Sequence, residues 1–326
     1  MPCSYCEFRC KLEDGHSICG RYHMIDGRAE EKEPLFFLQP CFHELESMPF
    51  FHVEPGNQVL QIGTKSCNAG CDYCVNAHLS IMKSDYPLVH YTPQELVRMA
   101  KNRNVAGIIF AINEVTVFHP SAIQVAKAAH NDGLLVGCLT NGYQTEEAAI
   151  ELAEHMDLIN VSIKSLSADF YQKNLHLPDV APVLRNARIF SEKSHLEIIT
   201  PLAQEIEMAE LYQIADYVES LGTHTPWHLF RLLQTHERKN AVGRDFAEEI
   251  RFTEKIRERL PYTYYGNFPG SRWADTLCSK CGHRVVRRIS IGACGAQYLS
   301  QDLDSKDTCP KCGEKIPIVR IKKGAV

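Results

Sequence analysis

The sequence predicts an α/β protein built on a parallel sheet, and three observations predict it. Strand-like apolar runs alternate with amphipathic helical patterns from residue 59 to residue 265, the order that β/α repeats produce. Thr92 opens 92-TPQE-95, where Thr92 and Glu95 make a capping box around Pro93 at the first helical position. The first strand-like run leads into a cysteine-rich loop, and ligands of parallel α/β folds sit beyond the C-terminal ends of the strands.

In chain order the strand candidates are 59-VLQIG-63, 107-GIIFAI-112, 134-LLVGCLT-140, 158-LINVSIK-164, 196-LEIIT-200 and 227-WHLFR-231. Apolar residues at i, i+3, i+4 spacing predict helices over 120–132, 145–155, 180–193, 207–221 and 246–260, after the one that starts at Thr92. Right-handed crossovers wind six such units into a doubly wound sheet or a partial barrel. Residues 1–50 and 266–326 lack the alternation, and each carries cysteines of its own. Three parts are therefore expected: a Cys-rich metal-binding segment over 1–50, the β/α core over 51–265 and a zinc ribbon over 266–326. Segments as short as the two outer ones bury too little apolar surface to fold unaided, and a bound metal supplies the difference.

The 326 residues are 44% hydrophobic and 23% charged, with a net charge of -5, which offers nucleic acid and anionic membrane no general attraction. The N-terminus shows no apolar h-region and no run is long enough to span a bilayer, so a cytoplasmic protein without a membrane partner is expected. Cysteine is the exception to this ordinary composition. Eleven of the fourteen fall in three groups. C-x2-C spacing is poor for pairing within a motif, and a reducing cytosol opposes disulfides, so grouping points to metal.

In the C-terminal group, 278-CSKCGH-283 and 309-CPKCGE-314, the thiolates of Cys278, Cys281, Cys309 and Cys312 close a tetrahedron around zinc, with rubredoxin-like iron as the competing occupant. Arg284, Arg287, Arg288, Lys322 and Lys323 give this unit a basic face, read as solvated charge or as a binding surface. The N-terminal group, Cys3, Cys6, Cys10 and Cys19, suits zinc or an iron–sulfur cluster. The middle group is Cys67, Cys71 and Cys74 in 66-SCNAGCDYCVNAH-78. It reads as a zinc site completed by His78, or as the three ligands of a 4Fe–4S cluster whose fourth iron is open to chemistry. Cys41, Cys138 and Cys294 stand apart; Cys138 and Cys294 read as small buried hydrophobes, Cys294 alternatively as an exposed thiol.

The spacing Cys67-x3-Cys71-x2-Cys74, with Tyr73 before the last cysteine, resembles the signature of radical S-adenosylmethionine (SAM) enzymes, whose fold is a partial barrel of six β/α units. The stretches 3-CSYCEFRCKLEDGHSICGRY-22, 49-PFFHVEPGNQVLQIGTKSCNAGCDYC-74, 139-LTNGY-143 and 266-GNFPG-270, with the two terminal knuckles, resemble the radical SAM member of the AmmeMemoRadiSam group, related to pyruvate formate-lyase activating enzymes. The resemblance implies that SAM binds the open iron and is cleaved reductively to a 5′-deoxyadenosyl radical, which abstracts hydrogen from a substrate. It places Tyr73 near adenine, Asn113 and Glu114 at the SAM ammonium, Asn141 facing the cofactor, Lys164 at the SAM carboxylate and His228 near SAM or substrate. On the residues alone, Asn113 and Asn141 read equally as turn formers, Lys164 as a solvated strand-end charge and His228 as a satisfied core histidine. Three positions depart from the family pattern: Ala69-Gly70 replaces a bulky residue, Val115 a proline and Ser162 an aspartate.

The function so implied needs a low-potential electron donor such as ferredoxin or flavodoxin and anaerobic conditions, and it acts on a protein or a small molecule. A glycyl-radical activating enzyme is a narrower version, and action alongside a Memo-like partner another. A non-catalytic zinc scaffold, with all three cysteine groups structural, is the reading from a different class.

Overall fold

A computed structural model describes every residue except 1, 15, 82–84, 241–242, 271, 293–294 and 322–326. Its centre is an eight-stranded sheet made of β1 (Cys41–Glu44), β2 (Gln58–Ile62), β3 (Gly107–Phe110), β4 (Leu135–Thr140), β5 (Leu158–Ser162), β6 (His195–Leu202), β7 (Trp227–Arg231) and β8 (Thr263–Gly266). The strands lie in strict chain order from β8 to β1. From β2 to β8 every pairing is parallel, and β1 alone runs antiparallel to its neighbour β2. Because the order never reverses, right-handed crossovers place all the connecting helices on one side, the arrangement of a partial barrel and not of a doubly wound sheet.

The long helices are α1 (Pro93–Asn102), α2 (His119–Asn131), α3 (Glu146–His155), α4 (Ala181–Lys193), α5 (Met208–Leu221) and α6 (Phe246–Ile256). The capping box forms as expected: Thr92 Oγ1 accepts from Glu95 N at 3.3 Å while Glu95 Oε2 accepts from Thr92 N at 2.8 Å. Strands β3 and β5 are buried along nearly their whole length, as continuous apolar runs in a covered parallel sheet must be. Six β/α units were expected, and the structure adds a seventh parallel strand, β8, beside β7. It was missed because 263-TYYG-266 is only four residues long. The sheet also begins within the N-terminal 50 residues, at β1.

The two small units sit at opposite ends of the barrel. The N-terminal one, with a hairpin of Tyr22–Ile25 and Arg28–Glu31, lies on the loops that follow β3 and β4. Tyr22 Oη donates to Thr116 O at 2.7 Å, Thr145 Oγ1 donates to Ser4 O at 2.6 Å, and Glu31 Oε1 accepts from Ser121 N at 2.8 Å. The C-terminal unit, a three-stranded sheet of Thr276–Leu277, Arg284–Ile289 and Gln297–Gln301, packs where the strands begin. There Arg288 is 3% exposed, stacks 4.3 Å from the Phe51 ring centroid and donates to Phe51 O and Thr276 Oγ1. This corrects the basic face: Arg288 is an internal strut, Arg284 is paired with Asp275 at 3.1 Å, and Lys322 and Lys323 lie outside the described residues.

Candidate metal centre and cofactor site

The loop after β2 is tied down from both sides. Asn113, just past β3, accepts from Thr64 N through Oδ1 at 3.0 Å and donates Nδ2 to Ser66 O at 2.9 Å, fixing the chain one residue before Cys67. Across the loop, Gly70 N donates to Leu175 O at 2.8 Å and Asp72 N to Asn174 O at 3.0 Å. Here lies the reason for the small residues at 69–70. A Cβ on Gly70 would stand 2.6 Å from His176 Nδ1, so the helical turn Tyr171–Leu175 and His176 occupy the space a bulky side chain would need. Gly70→Ala is therefore expected to destabilise the protein by about 1–3 kcal/mol, and the double change Gly70→Ala with His176→Ala to recover most of that loss in denaturant titration.

Hydrogen-bond donors ring the three sulfurs. Cys67 Sγ accepts from Ala69 N at 3.4 Å and from Asn141 Nδ2 at 3.8 Å, while Lys164 Nζ donates to Cys71 Sγ at 3.1 Å. Cys74 Sγ lies 3.3 Å from Ser80 Oγ. Burial, then the Glu114 carboxylate and Cys71, pushes the Cys67 thiol well above its usual range, and burial likewise raises Cys74. These sulfurs need a metal cation to ionise, and their donors suit the negative charge of a thiolate-bound cluster.

Glu114 is the hub beside them. Its Oε1 accepts from Thr140 Oγ1 and Thr116 Oγ1, both at 2.7 Å, and from Thr116 N and Gln144 Nε2, both at 3.2 Å. Among the described residues its Oε2 accepts only from Asn141 N, at 2.7 Å, which leaves acceptor capacity on that oxygen. Tyr73 is buried with its hydroxyl unpartnered among the described residues, and its ring lies 5.9 Å from Lys164 Nζ and 5.6 Å from the Arg238 guanidinium carbon.

Tyr73, Asn113, Glu114, Asn141 and Lys164 thus gather with the three cysteines at the C-terminal ends of β2 to β5. His228 does not join them. It lies early in β7, fully buried, with Nε2 2.6 Å from Glu197 Oε2 and its ring packed on Phe51 and Tyr264, which is the core-histidine reading. His78 is exposed against Tyr86. Two residues of the site were not singled out from sequence. Asn68, whose place inside the motif was the available signal, accepts from Asn141 Nδ2 at 2.7 Å. Arg238, paired with Asp72 at 2.8 Å, lies far along the chain from any motif.

The C-terminal cysteines are already gathered. Among the described residues, Cys278, Cys281, Cys309 and Cys312 are the one group whose ligand atoms all lie within 4.8 Å of one another. Sulfur separations of 3.5 Å for Cys278–Cys312 and 3.6 Å for Cys281–Cys309 approach the roughly 3.8 Å edge of a zinc–thiolate tetrahedron. Gly282 and Gly313 take positive φ of 70° and 72°, and their N–H groups return to Cys278 O and Cys309 O. Cys309→Ala should release the bound metal and lower the melting temperature of the protein without touching the Cys67 loop; metal analysis with a thermal scan checks it. Cys138 is buried, Cys41 is exposed, and Cys294 lies outside the described residues.

Residues 62–218 match the family model described as the Radical SAM superfamily. The chain is 28% identical over 326 residues to the uncharacterized protein MJ0808 of Methanocaldococcus jannaschii, covering 98% of this chain and 96% of that one. Among solved structures it is similar to Streptococcus suis SuiB bound to S-adenosylmethionine, at a TM-score of 0.50 and 12% identity over 64% of this chain and 51% of that one. It thus spans about half the length of the SuiB chain. A domain of pyruvate-formate lyase-activating enzyme from Bacteroides vulgatus also aligns, at a TM-score of 0.41 and 18% identity, over 49% of this chain and 99% of that one. No helix among the described residues is long and apolar enough to cross a membrane.

Proposed function

We propose that this protein, whose residues 62–218 match the Radical SAM superfamily model, is a radical SAM enzyme in which Cys67, Cys71 and Cys74 hold a 4Fe–4S cluster and the neighbouring residues bind SAM. The observation that carries the reading is the convergence of three thiols, their N–H and ammonium donors and a carboxylate with one nearly free oxygen. When bound, the cluster and SAM supply reductive cleavage of SAM and a radical that removes hydrogen from substrate.

The protein's own residues do the rest. Glu114 Oε2 accepts the SAM ammonium, its other oxygen being spent on Thr116, Thr140 and Gln144. Asn141 and Ala69 donate to the Cys67 sulfur and temper its charge. Lys164, a half-buried side chain that donates to Cys71 Sγ, would turn from that sulfur to the SAM carboxylate. Tyr73 offers its face and its unpartnered hydroxyl to the adenine side. Asn113 acts indirectly, by holding the loop. The substrate is a protein or a small molecule, and the electron comes from a low-potential carrier of the ferredoxin or flavodoxin kind.

The test is anaerobic purification, iron and sulfide analysis, and assay for 5′-deoxyadenosine with SAM and dithionite. Turnover that depends on SAM and reductant is expected. An iron-loaded protein that forms no 5′-deoxyadenosine sinks the reading, and a colourless protein that holds about three zinc ions and no iron leaves the zinc scaffold in its place.

A further inference from the structure

The N-terminal cysteines share one recess, lined by Cys3, Cys6, Cys10 and Cys19 and closed on one side by Asn68. This recess abuts the loop already described: Ser66 Oγ donates to Cys19 O, and Ser66 and Asn68 flank Cys67. Asn68 is 2% exposed, and its two ends differ. Its Oδ1 accepts from Asn141 on the cofactor side, whereas its Nδ2, an amide donor, is buried without a partner among the described residues. An unsatisfied buried donor beside four thiols marks the place of an acceptor absent from the protein chain.

The spacing of the thiols favours a cluster over a single ion as that acceptor. The ribbon quartet has drawn together to zinc-sized separations. Among the described residues no three of the N-terminal thiols lie within the same 4.8 Å limit, and neither do the three of the Cys67 loop. The ribbon therefore serves as an internal standard for a single ion, which pulls four sulfurs to about 3.8 Å from one another. A cubane, whose ligated irons are themselves separated, holds its thiolates farther apart and presents inorganic sulfides that accept N–H donors such as Asn68 Nδ2.

We infer that Cys3, Cys6, Cys10 and Cys19 ligate a second, fully thiolate-coordinated iron–sulfur cluster, seated against the Cys67 loop with Asn68 between the two. This does not depend on SAM being the ligand of the Cys67 site. The N-terminal unit thereby has a use for its position at the C-terminal ends of the strands, where Tyr22, Ser4 and Glu31 fasten it to the loops after β3 and β4.

Metal and sulfide counts on anaerobically purified full-length protein test it. Wild type should hold about eight irons and one zinc; Cys3→Ser with Cys6→Ser should hold about four irons with zinc unchanged, and so should the triple change Cys67→Ser, Cys71→Ser, Cys74→Ser. The triple variant keeps the outcome readable if the N-terminal variant fails to fold. Wild type with about four irons, all lost in the triple variant, or with a second zinc that Cys3→Ser with Cys6→Ser removes, overturns the inference. Four irons in wild type that survive the triple change would instead uphold it and defeat the Cys67 assignment.

Discussion

Cys67→Ala is expected to abolish formation of 5′-deoxyadenosine from SAM while the protein keeps its fold and its C-terminal metal. Cys67 is the sulfur with two N–H donors, from Ala69 and Asn141, and a cluster with two remaining protein ligands loses its differentiated open iron. The loss should be at least 100-fold, the scale of removing a metal ligand or its supporting partner. The measurement pairs 5′-deoxyadenosine yield with iron content and a thermal scan. A variant that cleaves SAM at an undiminished rate would exclude the loop as the seat of chemistry. Asn141→Ala should cost less, because it removes a donor and leaves the ligand.

Glu197→Ala is expected to cost the largest share of stability, about 3–5 kcal/mol. Glu197 lies in β6 with no exposure and has four partners: Phe51 N at 3.0 Å, His52 N at 2.9 Å, His195 Nε2 at 3.0 Å and His228 Nε2 at 2.6 Å. Alanine strands all four in the interior. Glu197→Gln keeps the volume and one acceptor, so about 1–3 kcal/mol is expected. Urea titration of both variants checks the order, and equal stability of wild type and Glu197→Ala would refute it.

The same cluster sets acid sensitivity. Burial lowers His52 to about 3 from 6.5, so the unfolded chain takes up that proton first. Its contribution is complete above pH 6.5 and is lost as pH falls toward 3, at up to about 1.4 kcal/mol per unit. For Glu197, burial acts to raise the carboxyl, but hydrogen bonds from His195 and His228 outweigh it and hold the carboxyl well below 4.5. A depressed carboxylate stabilises the fold above its unfolded value and loses that contribution below it, so a second decline joins the first under pH 4.5. Unfolding free energy measured from pH 7 to pH 4 should fall throughout, and His52→Gln should flatten the upper part of that slope.

Much of the fold was legible because its signals are local. The helix caps, the i, i+3, i+4 patterns and the buried runs of β3 and β5 depend on neighbours in sequence, and the observed helices start within a residue or so of expectation. β8 was not legible, since four residues carry too little periodicity to distinguish a strand from a loop. His228 and Arg288 misled for a related reason. A histidine in a strand and an arginine in a ribbon look alike whether solvated, functional or buried. Burial is made tolerable by partners from distant parts of the chain: Glu197 for His228, and Glu46, Phe51 O and Thr276 Oγ1 for Arg288.

By itself the sequence determined the β/α succession, the three cysteine groups and the loop after the first parallel strand, because spacing along a chain is a local property. Tertiary structure alone decided that the four C-terminal thiols gather within 4.8 Å of one another while those of the N-terminus surround a recess. It also decided that this recess reaches Asn68 in the Cys67 loop, that Glu114 keeps one oxygen nearly free and that His228 is buried against Glu197. Those facts depend on which distant residues meet, and on what each buried polar atom finds when it arrives.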